Sequence, residues 1–167
     1  MISLATYKDH ASIIDVWEKS VRSTHHFLPV DYLQEIKALL PSILLHVKVY
    51  VWRTTDGVVK GFTGVTAQKM EMLFIHPDSM GNRLGTELAH FCIYSLGVDE
   101  VDVNEHNQQA IDFYRELGYE LIGRQEVDSL GRPFPILHLR FNHNDGKASK
   151  RKSHPDSYRG QKKLKLQ

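Results

Sequence analysis

The stretch FIHPDSMGNRLGTELAHFCI, residues 74–93, decides the fold. It begins apolar, is interrupted by His-Pro-Asp, passes two glycines four residues apart (Gly81 and Gly85), and returns to apolar residues at helical spacing. This order predicts a β-strand, a tight turn and an α-helix. The first turn of such a helix has backbone amides without helical partners, and such amides bind anions. The stretch alone fits either an anion site or a connection whose glycines only allow close packing.

The common nucleotide-binding motifs do not occur in this turn or elsewhere. The chain contains neither G-x-x-x-x-G-K-[ST] nor G-x-G-x-x-G, which excludes a P-loop and a dinucleotide fingerprint. A phosphate group at the turn would therefore be bound by backbone amides between about Gly81 and Thr86, at the positive end of the helix.

The residues around this stretch place it at the centre of a sheet. MEMLFI, from Met70 to Ile75, is apolar on both faces except at Glu71, as expected of a strand that is covered on both sides. The order β-α-α-β-β-β-α-β-α-β-β predicts an α/β (α+β) fold, a mixed sheet of about seven strands flanked by about four helices. The other predicted strands lie at about 2–6, 47–54, 98–103, 119–123 and 134–141, with one more that ends near Val65. The other helices are one capped by Asp9, one over 31–45 that is interrupted at Pro41, and one from Asn107 to a cap at Gly118.

The composition is that of a soluble globular chain, with 41% hydrophobic and 25% charged residues among 167. Cys92 is the only cysteine, so an intrachain disulfide is excluded and nothing indicates an oxidising compartment. The opening residues MISLATYKDH do not resemble a secretion signal, and no apolar run approaches the roughly 18–20 residues of a membrane span. We therefore expect a cytoplasmic protein without membrane contact.

The net charge of +1 hides an uneven distribution. Residues 1–142 carry 13 Lys and Arg against 18 Asp and Glu, whereas residues 143–167 carry 8 against 2. We predict one folded domain over 1–142 and a basic, flexible C-terminal tail over 143–167, which has too few apolar residues to order itself. The tail fits either a solvated appendage or a contact to nucleic acid or another polyanion.

A second stretch, VNEHNQQAIDFYRELGY from Val103 to Tyr119, follows a predicted strand. Its helix presents Tyr114 on the inward face, where a phenol with a pKa of about 10 can protonate a leaving group. A tyrosine at such a position is also a common core residue, and Asn104 and Asn107 fit a turn residue and a helix cap. The stretch alone leaves both interpretations open.

Together the two stretches resemble the GCN5-related N-acetyltransferase (GNAT) superfamily. Its members bind the pyrophosphate of acetyl-CoA on a [QR]-x-x-G-x-[GA] loop after the fourth strand and close the site with an N-x-x-A-x-x-F-Y-x-x-x-G-[FY] helix. In the first motif this sequence differs, since Met80 stands at the Gln/Arg position and Arg83 at the first glycine. THHFL, FIHPD and GRQEVDSLGRPFPILHL also resemble the YjaB- and YiaC-like subgroup of small bacterial acetyltransferases, and the resemblance covers about 2–141. The second motif is matched throughout, at Asn107, Ala110, Phe113, Tyr114, Gly118 and Tyr119.

The resemblance implies that acetyl-CoA is the cosubstrate. Backbone groups around Leu73 and Ile75 would pair with pantetheine, which requires the neighbouring strand to splay away there. Tyr114 would protonate the CoA thiolate. Arg83, at a helical position that needs only its amide, would point outward and pair with a CoA phosphate in place of the cation missing at Met80. The implied cofactor-binding residues are Leu73, Phe74, Ile75, Met80, Gly81, Asn82, Arg83, Leu84, Gly85, Thr86, Asn104, Asn107 and Tyr114.

The implied reaction is direct attack of a neutral amine on the thioester in a ternary complex. Glu71 is a candidate base because burial on an apolar strand would raise its pKa, although it also fits a paired structural carboxylate. His25 follows the first helix, which in this family borders the acceptor site, and would titrate near neutrality; it also fits a structural histidine. Glu126 and Asp128 fit either selection of a cationic acceptor or ordinary surface carboxylates. Cys92 faces the core of its helix, which argues against a covalent acetyl-cysteine.

Several alternatives remain open at this point. The acceptor fits a protein lysine, a protein N-terminus or a small amine. The altered loop fits a non-catalytic acyl-CoA-binding module, and the basic tail fits nucleic-acid or ribosome association. The ten histidines show no metal-ligand spacing such as H-E-x-x-H, so no metal is predicted. A homodimer through the last strands is a further expectation from the family.

Overall fold

A computed structural model of the chain describes residues 1–67 and 69–143. Seven strands and four helices follow one another in the predicted order. The third helix is extended by one π-helical segment, and single 3₁₀ turns precede the first and third helices. The elements are β1 (Ile2–Leu4), α1 (His10–Thr24), α2 (Val30–Leu44), β2 (Lys48–Arg53), β3 (Val59–Val65), β4 (Lys69–Ile75), α3 (Leu84–His90, then Phe91–Ser95), β5 (Glu100–Asn104), α4 (Gln108–Glu116), β6 (Tyr119–Gln125) and β7 (Ile136–Phe141).

The strands form one mixed sheet in the order β1-β2-β3-β4-β5-β7-β6. β4 and β5 are parallel, and the other five neighbouring pairs are antiparallel. A parallel pair requires a crossover, and α3 supplies it. The predicted mixed sheet, with the strand MEMLFI in its middle, is confirmed.

The junction between β4 and β5 is unusually short. Their register contains only the pairs Lys69↔Glu100 and Met70↔Val101, so the two strands separate over the rest of their length. On its other side β4 carries a bulge, because Val65 of β3 pairs with Met70 and Gly64 pairs with Met72, which leaves Glu71 as the extra residue. A bulge bends and twists the strand that carries it, and here it lies where the strands begin to diverge.

Two hydrophobic clusters cover the two faces of the sheet. α1 and α2 pack on one face, with Trp17, Leu40, Phe62 and Phe74 among the buried residues. α3 and α4 pack on the other face, over buried side chains that include Met70, Cys92, Val101, Val103 and Tyr114. Within the described residues, no helix is long and apolar enough to cross a membrane.

One local prediction was wrong, and a second was right only about position, since Asp9 is the N-cap residue of α1. Pro41 does not interrupt α2, which continues from Val30 to Leu44. Proline removes an N–H donor and crowds the preceding turn, but Leu40 and Leu44 on either side of it are buried in the core and hold the helix in place. Asp9 precedes α1 without capping it through its side chain; its carboxylate accepts the Thr6 N–H at 2.7 Å and an ion pair from Arg53 at 2.8 Å.

Candidate active site

A cleft of about 260 Å³ opens beside β4, in the region where β5 has separated from it. The second half of β4 forms its floor. The end of α1, the turn before α3, the first residues of α3 and the inward face of α4 form its walls. The lining residues are Ser20, Thr24, His25, Leu73, Phe74, Ile75, Ser79, Met80, Gly81, Arg83, Leu84, Gly85, Thr86, Asn107, Gln109, Ala110, Phe113 and Tyr114.

The floor of the cleft offers backbone hydrogen-bonding groups. The His76 N–H donates to Lys60 O on the β3 side at 2.8 Å. Backbone groups alternate sides along an antiparallel strand, so those of Leu73 and Ile75 face the opposite side. On that side β5 is no longer in register with β4. This is the splayed edge that pairing with an extended ligand requires.

The turn before α3 contains two left-handed residues. Gly81 has φ 80°, and Arg83, directly before the helix, has φ 62° and ψ 2°. The expectation that Arg83 occupies a helical position was therefore wrong: it is the N-cap, in a conformation that favours glycine. Asn82 is exposed and does not line the cleft.

Gly85 brings α3 and α4 close together at the cleft. A Cβ at this position would lie 3.4 Å from the Phe113 ring, with Ile75 next to it at 3.8 Å. These are ordinary van der Waals distances, so a methyl group fits at this position, and only a side chain longer than that of alanine would press against the Phe113 ring.

Tyr114 lies on the inward face of α4, lines the cleft and is only 2% exposed. Burial raises the pKa of its phenol well above the usual value, with further contributions from Tyr119 and Cys92. The hydroxyl therefore keeps its proton at neutral pH. A buried phenol can donate that proton to a strongly basic group that forms beside it.

His25 lines the opposite wall, at the end of α1, and is buried. Burial lowers the pKa of its imidazole to about 4, and His26 adds to the effect. The expectation that His25 titrates near neutrality was therefore wrong, because the site keeps it uncharged.

Comparison with known proteins assigns the family. Residues 29–134, more than half of the chain, match the acetyltransferase (GNAT) domain family. The chain belongs to the GNAT family.

This GNAT chain is 34% identical over 140 residues to the peptidyl-lysine N-acetyltransferase YjaB of Salmonella typhimurium, covering 84% of the chain and 97% of the relative. It is 23% identical over 139 residues to the peptidyl-lysine N-acetyltransferase YiaC of Escherichia coli, covering 82% and 94%. The solution structure of apo-form YjaB from Escherichia coli superposes with a TM-score of 0.79 at 33% identity, covering 84% and 96%. The protein is an acetyltransferase with acetyl-CoA as its cosubstrate, and the expected fold is confirmed.

Not every residue expected at the GNAT site lines the cleft. Asn107 does, and it caps α4 by accepting the Ala110 N–H at 3.1 Å. Asn104 lies outside the lining and accepts the His106 N–H at 2.9 Å, as a turn residue does. Glu71 is buried on the bulge of β4 but does not line the cleft, and its carboxylate accepts a hydrogen bond from Thr66 Oγ1 at 2.9 Å.

The carboxylates of the β6–β7 loop have structural partners. Asp128 is buried, accepts a hydrogen bond from the Tyr32 hydroxyl, and accepts the Leu130 and Arg132 N–H groups at 3.0 and 2.8 Å. Glu126 forms an ion pair with Arg124. Asp128 therefore shapes the loop, which leaves it little capacity to select an acceptor.

Several residues that line the cleft were not predicted, because nothing in the sequence marks them as functional. Ser20 and Thr24 lie one helical turn apart at the end of α1, following the buried Trp17 and Val21, so helical periodicity indicates their side but not their role. Gln109 is the second residue of α4, and nothing in its sequence context distinguishes it. Among residues 1–67 and 69–143, no three His, Cys, Asp or Glu side chains are grouped to hold a metal ion.

Proposed function

We propose that this GNAT protein transfers the acetyl group of acetyl-CoA to a primary amine by direct attack in a ternary complex, with peptidyl lysine as the acceptor class. The observation that carries the proposal is the position of Tyr114, a protonated phenol in the cleft along the free edge of β4. The acceptor class is supported by the relative that is 34% identical, the peptidyl-lysine N-acetyltransferase YjaB of Salmonella typhimurium. The alternative acceptors are a protein N-terminus or a small amine.

The acetyl donor is proposed to lie along β4. Pantetheine would pair with the backbone of Leu73 and Ile75, whose groups face the separated side of the strand. The pyrophosphate would lie at the turn between Gly81 and Thr86, at the start of α3. Amides at the beginning of a helix and the positive charge of Arg83 both favour an anion there. Asn107 on the facing wall would contact the arm between these two ends.

The chemical step proceeds without an enzyme-bound acetyl group. The amine nitrogen attacks the thioester carbon, a C–N bond forms, and the C–S bond breaks as the thiolate leaves with the electron pair. Tyr114 donates its proton to that thiolate, and the second proton that the attacking nitrogen loses as it becomes an amide passes to water. Tyr114 regains a proton from solvent after release. Cys92 is 0% exposed, and burial raises the pKa of its thiol, so it does not compete as a nucleophile.

The amine has to lose a proton before it attacks. Glu71 is the proposed acceptor of that proton, through water, because it is a buried carboxylate on the strand that holds the donor. Its position outside the cleft lining means that a direct transfer is not proposed.

Tyr114→Phe tests the proposal. Removing the general acid should lower kcat by about 10²–10⁴-fold, while the Kd for CoA, measured by isothermal titration, changes less than about twofold. Tyr119→Phe is the matched control, because it removes another buried phenol that does not line the cleft. An unchanged kcat in Tyr114→Phe, with chemistry shown to be rate-limiting, would remove Tyr114 from this role.

The acceptor class requires a separate assay. Acetyl-CoA turnover is measured with lysine peptides, peptides that have only a free N-terminus, and small polyamines at equal amine concentration. We expect the highest kcat/KM for the lysine peptides. A preference for either of the other two would replace peptidyl lysine, and CoA binding without turnover on any amine would contradict catalysis.

A further inference from the structure

A chain of hydrogen bonds crosses the cleft and joins two of its walls. At the start of α4, the Ala110 N–H donates to Asn107 Oδ1 at 3.1 Å. Asn107 Nδ2 lies 3.5 Å from His25 Nε2, a contact between residues 82 apart in sequence. On the other side of the ring, His25 Nδ1 lies 2.7 Å from Thr24 Oγ1. Thr24 Oγ1 in turn donates to Ser20 O at 2.9 Å within α1.

The chemistry of the partners fixes the direction of every bond. A backbone N–H only donates, so the Asn107 atom that meets Ala110 is the oxygen, and the atom facing His25 is the amide nitrogen. Thr24 has one hydroxyl proton, which it gives to Ser20 O, so it accepts from His25 Nδ1–H. His25 therefore carries its proton on Nδ1 and offers the lone pair of Nε2 to Asn107.

This arrangement requires a neutral imidazole. Protonation would place an Nε2–H donor against the Asn107 amide donor and break the contact. His25 is 5% exposed, and the Phe27 and Phe74 rings lie beside it with centroids 5.3 and 6.3 Å away. Burial among rings opposes the charged form and restricts the orientation of the imidazole.

We propose that His25 is a positioning residue that holds the Asn107 amide, and with it the start of α4, against the end of α1. The proposal rests on the function proposed above, because the bridge matters only when the cosubstrate occupies this cleft. α4 carries Phe113 and Tyr114 into the cleft, so anchoring its N-cap residue, Asn107, sets the cleft width. Loss of the bridge weakens binding of the donor while the chemical step at Tyr114 persists.

The same contacts argue against His25 as the catalytic base. Its only lone pair is directed at Asn107, where it accepts a hydrogen bond. A base needs that lone pair free to take a proton from the amine.

Two substitutions of His25 provide the test, because each keeps the hydrogen bond of one ring nitrogen and removes that of the other. His25→Gln can place an amide oxygen near the position of Nε2, so the acceptor for Asn107 is kept. His25→Asn keeps a donor near the position of Nδ1 and loses the bridge. For His25→Asn we expect the Kd for CoA and the KM for acetyl-CoA to rise about two- to tenfold, the value of one hydrogen bond. Its kcat should stay within about twofold, and His25→Gln should match wild type in all three quantities.

A second variant shows whether the effect passes through Asn107. Asn107→Ser keeps a side-chain oxygen to cap α4. Its hydroxyl is one atom shorter than the asparagine amide, whose Nδ2 already lies 3.5 Å from His25 Nε2, so it brings no donor within reach of the ring. If the two residues act through one contact, adding His25→Asn to Asn107→Ser produces no further rise in Kd. If the His25 variants do not fold, as judged by circular dichroism, Thr24→Val removes the acceptor of Nδ1–H, and Thr24→Ser is its control. Weaker CoA binding in Thr24→Val alone supports the bridge, and equal binding in both opposes it.

The outcomes are distinct. An equal loss of kcat in His25→Gln and His25→Asn would overturn the proposal in favour of a reacting imidazole. Unchanged CoA affinity in both variants, or a loss in His25→Gln alone, would also overturn it. A wild-type chain that does not bind CoA would overturn the proposed function first, and that result differs from one in which wild type binds and the variants do not differ.

Discussion

Arg83 shows a side chain kept at a position where the backbone opposes it. Within the described residues it is the only non-glycine residue with positive φ. The left-handed conformation costs about 1–2 kcal/mol for a residue with a Cβ, whereas glycine adopts it freely. Because Arg83 also lines the cleft at the start of α3, we interpret its charge as the compensating gain, through a charge-assisted bond to a CoA phosphate.

Arg83→Gly should therefore change stability and binding in opposite directions. Relief of the left-handed conformation should raise the free energy of unfolding by about 1 kcal/mol. Loss of the cation should weaken CoA binding by about tenfold, the low end expected for a hydrogen bond to a charged group. Urea denaturation of the unliganded chain and isothermal titration with CoA measure the two effects separately.

Arg115→Gln is the control for that prediction, since it removes an exposed arginine of α4 that does not line the cleft. Its Kd for CoA should equal that of wild type. Tighter CoA binding in Arg83→Gly would mean that the arginine obstructs the site, and would favour the non-catalytic binding module.

For single residues, the sequence predicts helix caps and side-chain chemistry better than it predicts backbone angles. The cap at Asn107 and the positive φ of Gly118, 97°, follow from local rules and are found as predicted. The motif also shows that Arg83 replaces a glycine. It does not show that the residue lies outside the helix, at the N-cap directly before Leu84.

The elements are joined by a buried charge cluster at the β4–β5 junction. Asp102 of β5 is 2% exposed. It lies 3.1 Å from Lys69 Nζ on β4 and 2.5 Å from His138 Nδ1 on β7. One carboxylate thus links three strands beside the last pair of residues that β4 and β5 share. These side-chain contacts stabilise the junction at the point where backbone pairing between β4 and β5 ends.

Asp102→Asn should lower the free energy of unfolding by about 2 kcal/mol. Breaking a buried ion pair costs about 3–5 kcal/mol, and the partial exposure of Lys69 and His138 reduces that value. Glu100 lies on β5, like Asp102, and forms a more exposed ion pair with Arg140 of β7. Glu100→Gln breaks that pair and should lower the free energy of unfolding by less than about 1 kcal/mol. Chemical denaturation of both variants gives the comparison, and equal losses would show that burial of Asp102 adds nothing.

Hydrophobic periodicity predicts which elements exist and in what order, but less about how they pair. The succession from β1 to β7 follows from alternating and helical patterns. The insertion of β7 between β5 and β6 does not, because strand neighbours depend on contacts between residues far apart in sequence. Pro41 within α2 has the same cause: packing of Leu40 and Leu44 overrides a local breaker.

The whole chain combines an acidic part with a basic end. The tail predicted at 143–167 lies outside the described residues except for His143, which contacts Asp99 at 3.1 Å. A chain ending at His143 should therefore keep the Kd for CoA and the melting temperature of the full chain, within about twofold and about 2 °C. It should elute from an RNA column at lower salt, because phosphate contacts make binding salt-dependent.

Identical elution of both chains would leave the tail without a polyanion role. A large drop in melting temperature would instead show that the basic end belongs to the folded domain, and would move the boundary placed after residue 142.

At the scale of the molecule, the sequence located the cleft through two motifs about twenty residues apart, and Tyr114, Asn107 and the 83–86 turn all line it. It could not place Glu71 outside the lining, nor join His25 to Asn107. The position of Glu71 depends on the bulge in β4. The contact of His25 with Asn107 depends on the distance between α1 and α4. Neither can be read from a local sequence pattern.

Because β4 and β5 share only two residue pairs, part of the β4 edge lacks backbone hydrogen bonds to a neighbouring strand. This gives the cosubstrate an effect on stability as well as a role in the reaction. If pantetheine pairs with Leu73 and Ile75 as proposed, acetyl-CoA completes the sheet as well as entering the reaction. A ligand that binds only the folded chain raises its free energy of unfolding. Above the Kd, each tenfold increase in acetyl-CoA concentration therefore adds about 1.4 kcal/mol to the free energy of unfolding. The melting temperature of this protein should therefore rise with the concentration of acetyl-CoA or of CoA, since both carry pantetheine.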